Sequence, residues 1–249
     1  MIHLSTNPLW HVAFDAAAWL SGAALGAVLY RWRLRDAVEA ASARVGPGYF
    51  VAMGVGAVIG GYLAGSLVSL VGPAPTLSHS IAGVLAGAVV GVEAYKAVRG
   101  IKGSTGGVFA GPLAFGIAVG RWGCLMAGLP DGTYGTPTSL PWAVDQGDGI
   151  GRHPVQIYES AAMTAFLAVY LMALARRAPW AMRRAFYVFC AWYGVQRFVW
   201  EFLKPYPRLV LGLDIFQVIA LGLIAYGWVC FSRDRAWERA QAGFGAAGA

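Results

Sequence analysis

The sequence predicts an all-α polytopic membrane protein with seven transmembrane helices and one small folded loop on its outer face. Three observations lead to this prediction: 58% of the 249 residues are hydrophobic, only 12% are charged, and the mean hydropathy is +0.57. A soluble domain carries about 25% charged residues, so a chain of this composition is expected to lie in lipid. Seven apolar segments reach the roughly 20 residues that a helix needs to span a bilayer.

These segments follow one another along the chain, and residues 1–249 are expected to form a single integral membrane domain. Apolar runs place the seven helices at 9–30, 49–71, 77–97, 105–122, 155–175, 183–203 and 210–231. Residues 232–249 are expected to form a cytoplasmic tail, and its Ala/Gly-rich end, 240–249, is expected to fray.

Glycines in the second and third segments predict that these two helices pack closely. Gly83, Gly87 and Gly91 recur every fourth residue in the third segment, and Gly56 and Gly60 do so in the second. Small residues at this spacing let two backbones approach each other. Helix packing is the favoured interpretation, and room for a lipid chain is the alternative.

The distribution of Lys and Arg predicts the orientation in the membrane. Fourteen of the 19 basic residues lie in four stretches that share one side of the predicted topology: 31–48, 96–104, 176–184 and 233–239. By the positive-inside rule this side is cytoplasmic, which puts the N-terminus outside and the C-terminus inside. The net charge of +7 is therefore interpreted as a topology signal and not as a sign of nucleic-acid binding.

The most polar part of the chain lies on the opposite side. Residues 123–153 are rich in Gly, Pro and Asp and are predicted to form an outer-face loop or re-entrant element. All four histidines also fall in the outer half or outside the membrane. Because ionisable groups beside hydrocarbon are costly and are usually functional where they cluster, a site is expected here.

Two arginines are the main candidates for binding an anion. Arg121 ends the fourth segment among glycines, and a guanidinium can bind a phosphate through two parallel hydrogen bonds. Arg197 shares a helical face with Glu201 and Lys204, which follow at i+4 and i+7. The alternatives are that Arg121 only snorkels to the interface and that Arg197 forms a purely structural salt bridge.

Other polar residues have more open interpretations. His79 opens the third segment and is the favoured general base, since imidazole exchanges protons near neutral pH, although a cap or interfacial role is common for such a residue. Cys124 is best interpreted as a small buried residue, although the nearby Arg121 can activate a thiol. No residue spacing indicates a metal or cofactor site, and neither is expected.

The start of the fifth helix carries a cluster of polar residues behind a proline. These residues either orient the loop or line the site, and the sequence supports both interpretations equally. They are Arg152, His153, Gln156, Tyr158 and Glu159.

With these residues in view, the chain resembles the bacterial prolipoprotein diacylglyceryl transferase family. Four stretches carry the resemblance in the same order as in the family: GRWGCLMAG (120–128), YGTPTSLPWAV (134–144), RHPVQIYES (152–160) and RFVWEFLK (197–204). Seven spans with an outside N-terminus are also similar. The resemblance covers roughly residues 75–230.

The resemblance implies transfer of the diacylglyceryl group of phosphatidylglycerol to the lipobox cysteine of a prolipoprotein, forming a thioether and releasing glycerol phosphate. It implies a multi-pass protein of the bacterial inner membrane whose active site faces the periplasmic, outer leaflet. The implied partners are phosphatidylglycerol, the signal peptide of a prolipoprotein with its lipobox, and membrane lipids. The oligomeric state stays open.

The resemblance also assigns residues. Arg121 and Arg197 correspond to the family's essential arginines, Gly135 to an important glycine, and His79 to a motif histidine. The expected catalytic residues are Arg121, Arg197, His79 and His153. The expected substrate-binding residues are Arg121, Gly123, Cys124, Gly135, Arg152, Gln156, Tyr158, Glu159, Glu201 and Lys204.

The chain also departs from the family pattern. Family members usually have Asn at the position of Cys124, a Gly-Glu-Leu where this chain has Gly128-Leu129, and HGG where it has His79-Ser80-Ile81. A divergent transferase with another acceptor is therefore one alternative. A non-catalytic lipid-binding or transport protein is another, which the absence of an evident internal repeat disfavours.

Overall fold

The computed structural model describes residues 1–70, 77–209 and 211–247, with side chains described outside 68–70 and 237–247. The helices are α1 Leu9–Leu29, α2 Arg35–Ser42, α3 Pro47–Leu70, α4 Ile81–Arg99, α5 Ala110–Ala127, α6 Val155–Ala175, α7 Pro179–Arg183, α8 Ala185–Glu201 and α9 Ile215–Ala247. Six stretches in the described part of the chain are long and apolar enough to cross a membrane: α1 with α2, α3, α4, α5 with the turn before it, α6, and the first part of α9. The predicted class, a mostly helical polytopic membrane protein, is confirmed at this level.

Two predicted boundaries at the chain ends are wrong. A π-helical turn, Tyr30–Leu34, joins α1 to α2, so the chain is helical as far as Ser42 where a loop over 31–48 was expected. At the other end, α9 continues to Ala247, so most of the segment 240–249, which was expected to fray, is helical. In both places charged residues follow an apolar run, and a change of polarity does not by itself end a helix. Predicted positions 71, 210, 248 and 249 lie outside the described residues.

The connections collect at two opposite ends of the helices. At the first, called the loop end, residues 1–8, 128–154 and 202–209 meet. Thr136 N donates to Leu203 O at 2.7 Å there. At the second, called the basic end, the connections after α2, α4 and α7 meet the middle of α9 around a cavity of about 560 Å³. The residues lining that cavity include Asp36, Arg44, Lys102, Arg183 and Asp234.

A small sheet at the loop end was not predicted. Its strands are β1 Ile2–His3, β2 Val144–Asp145 and β3 Gly151–Arg152, with β1 parallel and β2 antiparallel to the next strand. Strands of two residues are too short to show an alternating pattern, so the sequence gave no signal for them. The sheet fixes the N-terminal segment against the loop. The loop itself is shorter than predicted, because residues 123–127 belong to α5 and the helix ends at Gly128, whose φ is +76°.

The predicted glycine contact between α3 and α4 is confirmed. A Cβ placed on Gly87 would lie 2.0 Å from Gly56 O, and one on Gly60 would lie 2.4 Å from Gly83 O. These distances leave no space for any side chain, so the two backbones touch. Because lipid tails are as apolar as leucine, this close fit, and not a hydrophobic driving force, holds the pair together.

The core that positions the site lies among α5, α6 and α8. Tyr170 and Phe189 are fully buried, and Phe166 stacks on Tyr170 with ring centroids 6.1 Å apart. Ser160 Oγ on α6 donates to Ala118 O on α5 at 2.7 Å, a second link between these helices. Together these contacts hold the three helices in the register that brings their charged residues together at the loop end.

We expect Gly87→Ala to lower the thermal unfolding midpoint of the protein in detergent. The added methyl would overlap Gly56 O, and overpacking a tight contact costs about 1–3 kcal/mol. Gly54→Ala on α3 is the matched control, because a Cβ there meets no atom within 4 Å. Alanine is also the better helix former by about 1 kcal/mol, so the control midpoint should stay the same or rise. Equal midpoints for the two variants would contradict the backbone contact.

Candidate active site

Five charged side chains form one buried ion network at the loop end. Glu159 is its centre: Arg121 Nε lies 2.7 Å from Oε2, while Arg197 Nη1 and Lys204 Nζ donate to Oε1 at 2.9 and 2.8 Å. Arg197 Nη2 also lies 2.6 Å from Glu201 Oε1. None of the five residues is more than 5% exposed. They are called the Glu159 network below.

Three separate helices bring the members of this network together. Arg121 lies near the end of α5, Glu159 lies in the second turn of α6, and Arg197 and Glu201 lie in the last turns of α8. The sequence predicted the Arg197–Glu201 pair from its spacing, and this pair is confirmed. The contact of Glu159 with all three cations joins residues 38 and 45 positions apart, which spacing within one helix cannot show.

Lys204 belongs to the network but not to the helix. The sequence placed it at i+7 on the sixth segment, and this is wrong, because α8 ends at Glu201 and Lys204 lies in the turn that follows. Burial lowers the pKa of Lys204 from its ordinary value, and Arg197 acts in the same direction while Glu159 and Glu201 oppose it. Its short contact with Glu159 is that of an ion pair, so Lys204 is counted as a cation.

The loop after α5 has its own set of polar contacts. Arg152 donates to both oxygens of Asp148 at 2.6 Å and lies 5.2 Å from the centre of the Tyr134 ring. The Arg152 contact lowers the pKa of Asp148. The backbone N–H of Gly147 and the His3 ring lower the pKa of Asp145. In this structure Arg152 therefore holds the loop, which was one of the two interpretations left open for it.

His153 and Tyr158 also hold the loop. His153 Nδ1 lies 3.5 Å from Tyr158 Oη, which accepts a hydrogen bond from Trp142 Nε1 at 2.8 Å. A Cβ on Gly135 would lie 2.2 Å from His153 O, so no other residue fits at that position without moving the loop. Gly135 thus has a clear packing role beside the start of α6.

Two further predicted residues, Gln156 and Gly123, are close to Glu159 and Arg121 along the chain. Gln156 is 1% exposed, and its Nε2 lies 3.5 Å from Thr133 Oγ1, while its Oε1 has no hydrogen-bond partner among the described residues. Gly123 faces α1, where a Cβ would lie 2.6 Å from Phe14 Cβ. Gly123 therefore acts in helix packing in this structure. Of the two residues, Gln156 has a buried side-chain oxygen that accepts no hydrogen bond from the described residues.

His79 lies apart from the Glu159 network. It precedes α4, whose cap is the next residue, since Ser80 Oγ accepts from Gly83 N at 3.5 Å. The exposed His79 ring lies 6.3 Å from the Tyr62 ring on α3. Among the described residues, no hydrogen bond or ion pair joins His79 to any member of the network.

The structure brings together a histidine and an aspartate that the sequence analysis did not select. His11 Nε2 lies 2.9 Å from Asp131 Oδ1 and 3.8 Å from Cys124 Sγ, and Cys124 Sγ lies 3.8 Å from Arg121 Nη1. Cys124 is buried, as predicted. Because His11 and Cys124 are 113 residues apart, only the fold reveals this contact.

Comparison with known proteins points to a single family. A family model described as prolipoprotein diacylglyceryl transferase matches residues 9–233. Similar curated proteins, each named phosphatidylglycerol–prolipoprotein diacylglyceryl transferase, occur in Polynucleobacter asymbioticus, Methylococcus capsulatus and Methylocella silvestris, with identities of 36%, 32% and 32%. The matched regions cover 47%, 59% and 70% of this chain and 42%, 58% and 69% of the relatives. The chain thus spans less than half the length of some relatives that it matches. No solved structure matches this chain.

We expect Glu159→Gln to lower the free energy of unfolding by about 3–5 kcal/mol, because removing one partner leaves buried charges uncompensated. Arg121 would then lose its carboxylate partner, and Arg197 and Lys204 would keep only Glu201. Glu39→Gln is the matched control, since Glu39 forms an exposed pair with Arg35 at 3.0 Å and should change stability little. Unfolding in detergent checks both variants. Equal stability of Glu159→Gln and Glu39→Gln would show that Glu159 is not the centre of the network.

Proposed function

Because the chain belongs to the prolipoprotein diacylglyceryl transferase family, we propose that it transfers the diacylglyceryl group of phosphatidylglycerol to a cysteine thiol of a prolipoprotein. The observation that carries this proposal is the charge balance of the Glu159 network. Three cations face two carboxylates, so one buried positive charge is left over. A buried surplus charge favours a bound anion, and the lipid substrate brings a phosphate.

The arrangement of the two arginines supports a phosphate site. Arg121 and Arg197 contact different oxygens of the same carboxylate, so both guanidiniums already converge on one small anion. A phosphodiester offers the same kind of paired oxygens, and guanidinium binds such groups through two parallel hydrogen bonds. The unpaired Gln156 Oε1 supplies a nearby acceptor for a hydroxyl of the glycerol headgroup.

The proposed reaction is a displacement at a glycerol carbon of the lipid. The thiol sulfur forms a bond to that carbon, the carbon–oxygen bond to phosphate breaks, and glycerol phosphate leaves with the bonding electrons. Negative charge grows on the departing phosphate, and Arg121 and Arg197 are positioned by Glu159 to stabilise it. Donors fixed in advance for developing charge are worth about 3–4 kcal/mol each.

The thiol must also lose its proton. We propose that His153 accepts it, because His153 lies just before α6, the helix that carries Glu159, and is half-buried. His79 stays the second candidate, and its distance from the network makes it the weaker one. Gly123, Cys124, Gly135, Arg152, Tyr158, Glu201 and Lys204 are proposed to shape or line the substrate site.

We further propose that α8 is a seventh span. It has 17 residues and antiparallel neighbours in α6 and α9, so it passes between the basic end and the loop end. With seven spans, the basic end would face the cytoplasm together with the C-terminus, and the N-terminus and the Glu159 network would face the outer leaflet of the bacterial inner membrane. Residues 1–249 then form one membrane domain, with 128–153 as its outer-face loop and the end of α9 inside.

Two other functions would use the same arginines. A divergent transferase would move the diacylglyceryl group to another acceptor, which the unusual Cys124 region keeps open. A lipid-binding or transport protein would hold phosphatidylglycerol without forming a product. The acceptor, and the formation of a thioether, separate the three functions.

We expect the purified protein to add a diacylglyceryl group to the cysteine of a lipobox peptide in detergent that contains phosphatidylglycerol. Arg121→Lys and Arg197→Lys should lower the rate by about 100–1000-fold, because lysine keeps the charge but loses the planar pair of donors. Arg35→Lys, at an exposed pair, is the control and should keep the wild-type rate. Mass spectrometry of the peptide measures the product.

The outcome separates the alternatives, provided that each variant shows a wild-type unfolding midpoint. Full activity in Arg121→Lys and Arg197→Lys would contradict the phosphate site. An adduct on a free thiol but not on the peptide would indicate a divergent transferase. Bound phosphatidylglycerol without any adduct would indicate lipid binding alone.

We expect a membrane-impermeant thiol reagent to label Ser139→Cys, but not Ser42→Cys, in spheroplasts. Ser139 is exposed in the loop after α5, and Ser42 is exposed at the basic end. Permeabilised cells should show labelling of both, and the parent protein with its three native cysteines gives the background. Labelling of Ser42→Cys alone would show the reverse orientation. Labelling of both variants would contradict an odd number of spans between residues 42 and 139.

A further inference from the structure

The cluster of His11, Cys124 and Asp131 has no catalytic role in the proposed transfer. Each residue offers one atom of a type that binds metals, and these three atoms all lie within 4.8 Å of one another. They come from three elements: the first turn of α1, the end of α5, and the short 3₁₀ turn Leu129–Asp131. A convergence of imidazole, thiol and carboxylate from distant parts of the chain calls for a chemical explanation.

Outer contacts hold two of the three groups in the orientation that a metal ligand needs. Asp15 Oδ2 lies 2.9 Å from His11 Nδ1, which leaves Nε2 as the nitrogen that faces Cys124 and Asp131. Thr133 Oγ1 donates to Asp131 Oδ2, which leaves Oδ1 facing His11. A carboxylate on the far nitrogen of a histidine and a hydrogen bond on the far oxygen of a carboxylate are the usual supports of metal ligands.

The spacing of the three atoms suits a small tetrahedral ion. His11 Nε2 is 3.8 Å from Cys124 Sγ and 2.9 Å from Asp131 Oδ1. Zinc binds nitrogen and oxygen at about 2.0–2.2 Å and sulfur at about 2.3 Å, so ligand atoms in its sites lie about 3–4 Å apart. A site with three protein ligands leaves the fourth position open to water or another group.

The ligand types narrow the choice of ion. A thiolate with an imidazole selects zinc or a similar transition metal, and excludes the oxygen-only sites preferred by magnesium and calcium. Cys124 is 6% exposed, and the side chains of His11 and Asp131 are 32% and 8% exposed. The cluster is thus shielded on the sulfur side and open to solvent at the histidine.

We propose that His11, Cys124 and Asp131 bind a zinc-type divalent ion, with Asp15 and Thr133 as its outer supports. The ion would join the start of α1 to the end of α5, one helical turn from Arg121. This inference goes beyond the proposed transfer reaction and does not depend on it. It also gives Cys124 a role that asparagine cannot fill equally well, because a thiolate is the stronger zinc ligand.

Cobalt(II) is the probe for the test, because a cobalt–thiolate bond gives a charge-transfer absorption that oxygen and nitrogen ligands do not. We expect the purified, metal-free protein to bind one Co²⁺ with this absorption, and added Zn²⁺ to displace it. Cys124→Ser should lose the absorption. Cys190→Ser, which removes a fully buried cysteine on α8 away from the cluster, should keep it.

Asp15→Asn tests the outer support and spares the ligands themselves. It should weaken Co²⁺ binding about 10–100-fold while the thiolate absorption persists at saturation. Unfolding midpoints without metal show whether each variant is folded. If Cys124→Ser is not folded, the Co²⁺ affinity of Asp15→Asn decides whether the cluster binds the metal. Absence of stoichiometric Co²⁺ uptake by the wild-type protein, an unchanged spectrum in Cys124→Ser, or unchanged affinity in Asp15→Asn would overturn the proposal and leave the cluster as a hydrogen-bonded contact.

Discussion

The sharing of one buried carboxylate by three cations is the interaction on which the loop end depends. Glu159 binds Arg121, Arg197 and Lys204 with every partner at most 5% exposed. Taking such charges out of water costs several kcal/mol per ion, and only close, multiple contacts offset that cost. The network is therefore a poor way to gain stability. Under the proposed function, the network holds two guanidiniums at fixed positions for a bound anion.

The glycines follow from the same constraint. Rigid placement of Arg121, Glu159 and Arg197 requires α5, α6 and α8 to keep their register, and the loop has to close over them without a gap. Gly123 lets α1 lie against α5, and Gly135 lets the loop lie against the carbonyl of His153. Part of the high glycine content, 34 of 249 residues, thus reflects close contacts at specific places.

The sequence predicted those parts of the structure that depend on local pattern. Apolar runs placed most helix boundaries within about five residues. The i,i+4 spacing found Arg197 with Glu201, and the glycine ladder found the contact between α3 and α4. Contacts between distant residues carry no such periodic signal. For this reason Glu159 was selected as one polar residue among five, its central position was not foreseen, and His11 was missed, although its i,i+4 spacing to Asp15 was a usable hint.

Arg121 connects the two clusters at the loop end, and this connection links the residue at position 124 to the proposed anion site. Its Nε contacts Glu159 while its Nη1 contacts Cys124 Sγ at 3.8 Å, so the residue at position 124 partly decides which guanidinium hydrogens are free for a substrate. A sulfur accepts hydrogen bonds weakly compared with an amide oxygen. In the proposed phosphate site, Arg121 would therefore keep more of its donor capacity beside a cysteine than beside an amide side chain. Substitution at position 124 would then adjust the strength of the anion site without changing the arginines themselves.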